Sequence, residues 1–466
     1  MYKAYITELK NVRPHSNADR LQLGDCFGNT VCVDLSYIEG QIGVYFPTDG
    51  QLSIEFAEAN NLLRKKDDAG NNIGGYLDPA KRNICAIRLR GEKSDGLFLP
   101  LKSLESFGDI STLRVGDTID VFNGYEICCK YIPRTNRRSS NVGGNKTRKK
   151  KVNIAPLFAE HADTEQLAYN LSAFKPGDEI EITLKMHGTS QRTGYLPVLK
   201  GYKRTFVDWL LRRDGKPIYD WGYVSGTRRT VLDNYDGGYY GSNEFREQHS
   251  KTFEGKLWKG ETVYYEVVGF THTGAPIMAE GKNEKLGKDF VKQYGKTTVF
   301  SYGCDPEGES FKHEYSDCWD GTNVREFKPQ SDIYIYRMTM TNEDGAVVEY
   351  SPDFMRYRCE QIGVKTVPVM WKGVIPAHTG DAVAIRLGQD AGAWIKEKAE
   401  RFYDGPDPIG KTHVREGVVV RIVNRPKFTA FKHKNHNFKM LSGIAIEQAE
   451  AEGTLNEMSE DQISEL

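Results

Sequence analysis

Ile180-Glu181-Ile182-Thr183-Leu184-Lys185-Met186-His187-Gly188-Thr189-Ser190 is the stretch on which the fold of this chain turns. Apolar residues alternate with polar ones from Ile180 to Leu184, the period-two pattern of a half-buried strand. The strand delivers Lys185 to its mouth, and Gly188 supplies a turn just after it. A lysine so placed can serve as a nitrogen nucleophile. A free lysine has a pKa of about 10.4, so only roughly one amine in 2,500 is neutral at pH 7. Neighbouring cations or a bound metal must therefore favour the neutral amine.

Later segments supply those neighbours. Lys432 and Lys434, in Phe431-Lys432-His433-Lys434-Asn435, are two apart and share one face of a strand. They suit phosphate binding and a negatively charged leaving group; taken alone, they also suit an exposed basic strand. Glu266 lies within Val263-Tyr264-Tyr265-Glu266-Val267-Val268, and Glu416 opens Glu416-Gly417-Val418-Val419-Val420-Arg421. A carboxylate in a valine-rich strand is costly unless it is paired or metal-bound. Two of them beside a lysine suit a Mg²⁺ site with water and phosphates, the alternative being strand-edge glutamates in solvent. Tyr334-Ile335-Tyr336 places two aromatics on one face, for stacking on a purine or for a core. Ser225-Gly226-Thr227-Arg228-Arg229 brings an arginine to a turn, where it can meet a phosphate.

The rest of the chain frames this centre. Its 466 residues allow two or three domains, and 39% hydrophobic content supports real cores. The net charge of −1 confines any nucleic-acid surface to a local patch. Eight cysteines without a CxxC pair fit a reduced, cytoplasmic protein. Cys304, His313 and Cys318 have the wrong spacing for structural zinc. No apolar run is long enough to span a membrane. Residues 1–132 alternate short strand candidates (Lys3–Leu9, Val31–Leu35, Gly43–Phe46, Ile84–Leu89, Gly96–Pro100, Thr118–Phe122) with turns, which predicts a small β-barrel with a helix inserted over 53–65. Residues 133–151 are rich in Gly, Ser, Lys and Arg and read as a basic flexible linker. An α+β domain is expected over 152–446, with a helix starting at an Asp163 N-cap and another over Asp390–Tyr403. Residues 447–466 form an acidic tail.

Lys-x-His-Gly, Tyr-Glu-Val-Val-Gly, Glu-Gly-Val-Val and Lys-x-Lys, in that order from Lys185 to Lys434, resemble the covalent nucleotidyltransferases, which comprise ATP-dependent polynucleotide ligases and mRNA capping enzymes. His187 replaces the Asp of most DNA ligases and capping enzymes, which looks like the RNA ligase branch. His15-Ser16-Asn17-Ala18-Asp19-Arg20-Leu21, Gly43–Pro47, Leu89-Arg90-Gly91 and Ser94–Leu97 resemble the N-terminal OB-type domain of the Naegleria/Deinococcus group of RNA ligases. Little chain follows Lys434, whereas DNA ligases and capping enzymes place an OB domain there.

The resemblance implies an OB-type barrel joined by the basic linker to an adenylylation domain. Lys185 would take AMP from ATP, with Mg²⁺ or Mn²⁺, and pass it to an RNA 5′-phosphate for attack by a 3′-OH. His187, Gly188, Arg228, Glu266, Tyr336, Glu416, Lys432 and Lys434 would bind the nucleotide. Glu266 and Glu416 would also serve the metal, and Lys432 and Lys434 the chemistry on the phosphates. Tyr336 would stack on adenine, and Arg192 is a weaker phosphate candidate. RNA is the partner, gripped in part by Lys81, Arg82, Arg88 and Arg90; no protein partner is evident. Residues 200–222 and 304–330 look like insertions in a minimal ligase core. The competing readings are a DNA ligase, a GTP-using capping enzyme, and a non-catalytic RNA-binding protein related to tRNA-binding OB modules.

Overall fold

Strand outweighs helix in this mixed α+β chain, as its alternating Val, Ile and Tyr runs require. The computed structural model describes residues 2–66, 72–132, 154–210, 215–228, 230–232, 235, 244–271, 277–278, 280–282, 287–294, 297–299, 331–376, 391–409 and 414–443. The expected linker at 133–151, the tail at 447–466, the stretch 304–330 with its Cys and His residues, and Arg229 lie outside the described residues. No helix among the described residues is long and apolar enough to cross a membrane.

Two compact units emerge. The first holds Met1–Arg134 together with the segment that begins at His436. Ala4–Glu8 lies between Ile42–Phe46 and Thr118–Ile119, and Leu97–Pro100 extends the sheet beyond Ile42–Phe46. Lys10–Pro14, Leu21–Cys26 and Asn29–Asp34 form a three-stranded meander, and Gly50–Leu52 joins Cys128–Lys130 to Asn83–Ile84. Ala4 and Ile6 alternate inward onto Val44, Phe46, Leu52 and Phe56. The inserted helix is Ile54–Ala59, shorter than 53–65; Ser53 Oγ caps it by accepting from Phe56 N at 3.1 Å. These strands stay in separate sheets, and no closed barrel forms among the described residues. Arg82, Arg88 and Arg90 donate to backbone carbonyls of their own unit, at Leu52, Gly91 and Asn17.

The second unit carries two larger sheets. In one, Glu165–Gln166, Thr429–Lys434, Gly417–Ile422, Glu179–Leu184 and Val369–Val374 lie side by side in that order. Ile180, Ile182, Val418, Val420 and Phe431 point from it onto Ile395 and Ala399 of the helix Ala391–Tyr403. In the other, the order is Val231–Leu232, Lys216–Gly226, Thr189–Lys203, Glu261–Gly269, Ser331–Thr341 and Val347–Glu349, with Lys365–Thr366 parallel to Ser331–Thr341. The chain leaves the first sheet after Leu184 and enters the second at Thr189, so Lys185–Gly188 is the crossing point. Leu184, Met186, Val268 and Tyr334 pack together there.

One expected element is absent. Asp163 caps no α-helix: its carboxylate accepts from Arg228 Nε at 2.9 Å, Glu165–Gln166 pairs in parallel with Phe431–Lys432, and only 3-10 turns follow at Leu167–Tyr169 and Leu171–Ala173. A distant arginine takes the carboxylate that the local capping pattern needs.

Candidate active site

The crossing point is fastened from both sheets. Lys185 N donates to the Gly417 carbonyl at 3.0 Å, and Asn435 N donates to the Glu416 carbonyl at 2.8 Å. These bonds bring the start of Gly417–Ile422 and the end of Thr429–Lys434 against the lysine. Gly417 has φ +145°, and a Cβ on it would lie 2.1 Å from the His433 carbonyl. The close approach therefore needs glycine. On the other side, Gly188 N donates to Glu266 Oε1 at 3.2 Å, and a Cβ on Gly188 would lie 2.3 Å from the Val267 carbonyl.

Glu416 is the electrostatic hub. It is 3% exposed. Its Oε1 lies 2.8 Å from Lys185 Nζ and 3.3 Å from Lys434 Nζ, and its Oε2 lies 3.2 Å from His187 Nδ1. Burial pushes the Glu416 carboxyl up, but Lys185, Lys434 and the His187 hydrogen bond outweigh it and hold the group well below the usual carboxylate range. Burial lowers the His187 pKa, and the two lysines lower it further, against the pull of Glu416. A neutral imidazole that donates from Nδ1 to a carboxylate keeps Nε2 as an acceptor. Lys432 pairs with Val419 and Lys434 with Gly417, so both lysines project from one face of their strand. His433 takes the opposite face, stacked on Tyr403 at 4.9 Å and 3.5 Å from Glu400.

Tyr336 reaches the same region by an irregularity. Tyr264 pairs with Arg337 and Tyr265 with Ile335, so Tyr336 is the extra residue of a bulge. It packs beside Tyr334 and Leu184, and its hydroxyl lies 2.8 Å from Ser190 Oγ and 3.4 Å from His161 Nδ1. His161 was not signalled by any motif. Burial, with Arg228 and Arg337 nearby, lowers its pKa to about 3, so it is a neutral partner for the tyrosine. Arg228 is engaged with Asp163. Arg192 is 1% exposed, with its guanidinium 4.3 Å over the Phe158 ring and a bond to the Ala159 carbonyl. That is a packing role rather than a free phosphate contact. Arg337, which the sequence reading passed over, pairs with Glu349 and lies 4.5 Å over the Tyr264 ring.

Lys185, His187, Gly188, Glu266, Glu416 and Lys434 are thus brought together by direct contacts. Among the described residues no three or more His, Cys, Asp or Glu side chains converge on a metal cage. Mg²⁺-type ions need less, since one or two carboxylates with water and phosphates suffice. Glu416 and Glu266 grip opposite ends of one four-residue turn and offer that kind of donor.

No family model matches the chain, and no curated protein matches it. Solved structures do. A Naegleria gruberi RNA ligase variant with ATP and Mn is 16% identical, covering 95% of this chain and 98% of that one at a TM-score of 0.51. The Naegleria gruberi RNA ligase with PPi is 17% identical, covering 93% and 97% at 0.51. A variant of that ligase with AMP and Mn is 16% identical, covering 94% and 97%, again at 0.51. Over nearly its whole length, this chain has the fold of the Naegleria gruberi RNA ligase structures.

Proposed function

We propose that the chain is an ATP-dependent RNA ligase that joins 5′-phosphate and 3′-OH ends, with RNA repair in the cytoplasm as its setting. The observation that carries the reading is the convergence of Lys185, His187 and Lys434 on the buried carboxylate of Glu416. Two segments more than 220 residues apart, the Lys185–His187 turn and the hairpin from Glu416 to Lys434, meet there. The fold shared with ligase structures holding ATP, AMP and PPi supports a nucleotide at this place.

In this reading Lys185 leaves its ion pair, gives its ammonium proton to solvent, and attacks the α-phosphorus of ATP as the neutral amine. An N–P bond forms, the bond to pyrophosphate breaks, and the nitrogen loses a second proton to solvent. The resulting lysyl-AMP gives AMP to an RNA 5′-phosphate, and the 3′-OH then displaces AMP as the phosphodiester forms. Lys432 and Lys434 meet the charge on the phosphates. His187, neutral and accepting at Nε2, suits a ribose hydroxyl better than a phosphate. Tyr336, fixed at its hydroxyl, presents a ring for adenine. Arg228 exchanges Asp163 for a phosphate, an easy exchange because partly exposed ion pairs are worth only about 0–1 kcal/mol. Glu416 and Glu266 would hold Mg²⁺ or Mn²⁺, and the bound cation would polarise the phosphate under attack. The first unit is assigned as an OB-type RNA grip, with Lys81, Arg82, Arg88 and Arg90 as its basic residues, tethered by residues 133–151; the acidic tail at 447–466 is assigned no part.

The test has two steps. Protein incubated with α-labelled ATP or GTP should take covalent label from ATP alone; label from GTP would move it to capping chemistry. Four nicked duplexes, differing in RNA or DNA on each side of the nick, should be sealed only with a ribonucleotide 3′-OH end. Sealing indifferent to sugar would indicate a DNA ligase. No label from well-folded protein would leave a binding role alone.

A further inference from the structure

The hairpin formed by Thr189–Lys203 and Lys216–Gly226 runs far beyond the sheet it starts in. Its outer part, Lys216 to Asp220, is exposed at every residue. Between residues 200 and 221 the sequence carries six Lys or Arg against three Asp, in a chain of net charge −1. The outer part of the hairpin falls within residues 200–222, and its register sorts the side chains into two unlike faces. Arg192 pairs with Gly226, Leu196 with Gly222, Val198 with Asp220, and, past a bulge at Lys200, Gly201 with Ile218 and Lys203 with Lys216. These residues share a face with Ser190 and Arg192. Lys200 belongs to that face too, since a Cβ on Gly222 would sit 3.3 Å from its Nζ. The opposite face is aromatic. Tyr195 stacks on Tyr223 at 4.7 Å and meets Trp221 at 5.8 Å, and Lys259 lies over Trp221 at 5.3 Å.

A two-stranded ribbon is marginal by itself, and the aromatic face gives this one rigidity. The other face packs at its inner part, where Leu196, Val198 and Val224 meet Ala155 and Phe158, but its outer part, with Lys200, Lys203 and Lys216, has no such internal reason. Lys203 and Lys216 are direct cross-strand partners, and like charges so placed destabilise a ribbon. Among the described residues no carboxylate pairs with Lys200, Lys203 or Lys216. The arrangement becomes favourable when a polyanion lies along it. At about 3.3 Å per residue these lysines stand on the order of 25–35 Å from Arg192 along the strand. That is beyond any mononucleotide bound near Lys185, so a ligand that occupies both places has to be a polymer.

The geometry points to a phosphate-binding rail. Lys200, Lys203 and Lys216 hold the backbone of the RNA substrate at a distance from the join, on the exposed outer part of the hairpin. The inference rests on the RNA ligase reading and adds to it a second, remote contact with the RNA.

The test replaces all three lysines, Lys200→Ala, Lys203→Ala and Lys216→Ala, in the full chain. Anisotropy of a fluorescent nicked RNA duplex is followed between 50 and 200 mM salt. Each lost phosphate contact should lower the salt slope by about 0.7–0.9, so the variant should lose about two to three units of slope and bind roughly tenfold or more weakly. Label transfer from ATP to Lys185 should be unchanged, and arginine at the three positions should restore binding. Equal affinity and slope in the alanine variant and the wild type overturn the rail, as does loss of a self-association in place of RNA binding. A wild type that takes no label from ATP but binds RNA through these lysines would remove the ligase reading and leave the rail standing.

Discussion

Lys185 Nζ lies 2.8 Å from Glu416 Oε1, a carboxylate that is itself 3% exposed. The amine proposed to attack ATP is thus held in an ion pair that it must leave before it reacts. Lys185→Ala should abolish covalent labelling by α-labelled ATP. It should also cost about 1.5–3 kcal/mol of stability, the worth of a hydrogen bond to a charged group. Label at wild-type level in the variant would place the nucleophile elsewhere.

Glu416→Gln keeps the shape of the hub and removes its charge. Labelling should fall by about 10²–10³-fold, as when one preorganised electrostatic contact is lost. The pH dependence has a definite sign. The folded carboxyl sits well below its ordinary value of 4.5, held there by Lys185 and Lys434 against burial. Its contribution to stability is therefore complete above pH 4.5 and is lost as pH falls from there through the folded value. The Tm gap between wild type and E416Q should be widest near neutral pH and close on acidification below 4.5. A gap constant from pH 7 to pH 3 would mean that Glu416 gains nothing from its partners.

The strand before Lys185 was legible because Ile180 and Ile182 alternate with polar residues and bury under the Ala391–Tyr403 helix. The hub was legible in part. Lys185, Glu416 and Lys434 each sit at a strand end whose local pattern is clear, and the spacing of Lys432 and Lys434 fixes their common face. What depended on partners distant in sequence was not legible. Asp163 has the local signature of an N-cap and loses it to Arg228, 65 residues on. Arg192 looks like a phosphate ligand, yet Phe158 and Ala159 absorb its guanidinium. His161 belongs to no periodic element and gains a role only when the bulge at Tyr336 turns a hydroxyl towards it. A bulge arises from strand pairing, and pairing is invisible in either strand alone.

Gly417→Ala is expected to disrupt the site without touching a charge. The added Cβ would lie 2.1 Å from the His433 carbonyl and 2.8 Å from Lys434 Cα, both backbone atoms that cannot rotate away. The strand bearing Lys434 must move, and φ +145° is strained for alanine in any case. The Tm should drop, and labelling should fall even at temperatures where the variant stays folded. Unchanged labelling would show that the register of Lys434 against Glu416 is unimportant.

Tyr336 separates ring from hydroxyl. Its OH contacts Ser190 Oγ at 2.8 Å and His161 Nδ1 at 3.4 Å, while its ring meets His161 edge-on at 5.3 Å. Tyr336→Phe removes the first set, at about 1 kcal/mol for a net hydrogen bond, and keeps the surface proposed for adenine. It should lower Tm slightly and leave the KM for ATP within a few-fold of wild type. Tyr336→Ala removes the ring as well, and base–aromatic stacking is worth roughly 1–3 kcal/mol. Its KM for ATP should rise by about 10- to 100-fold, with a smaller change in the rate of label transfer at saturating ATP. If Phe and Ala raise KM equally, the hydroxyl network with Ser190 and His161 is what the nucleotide needs. If neither raises it, adenine stacks elsewhere and Tyr336 belongs to the core around Leu184 and Tyr334.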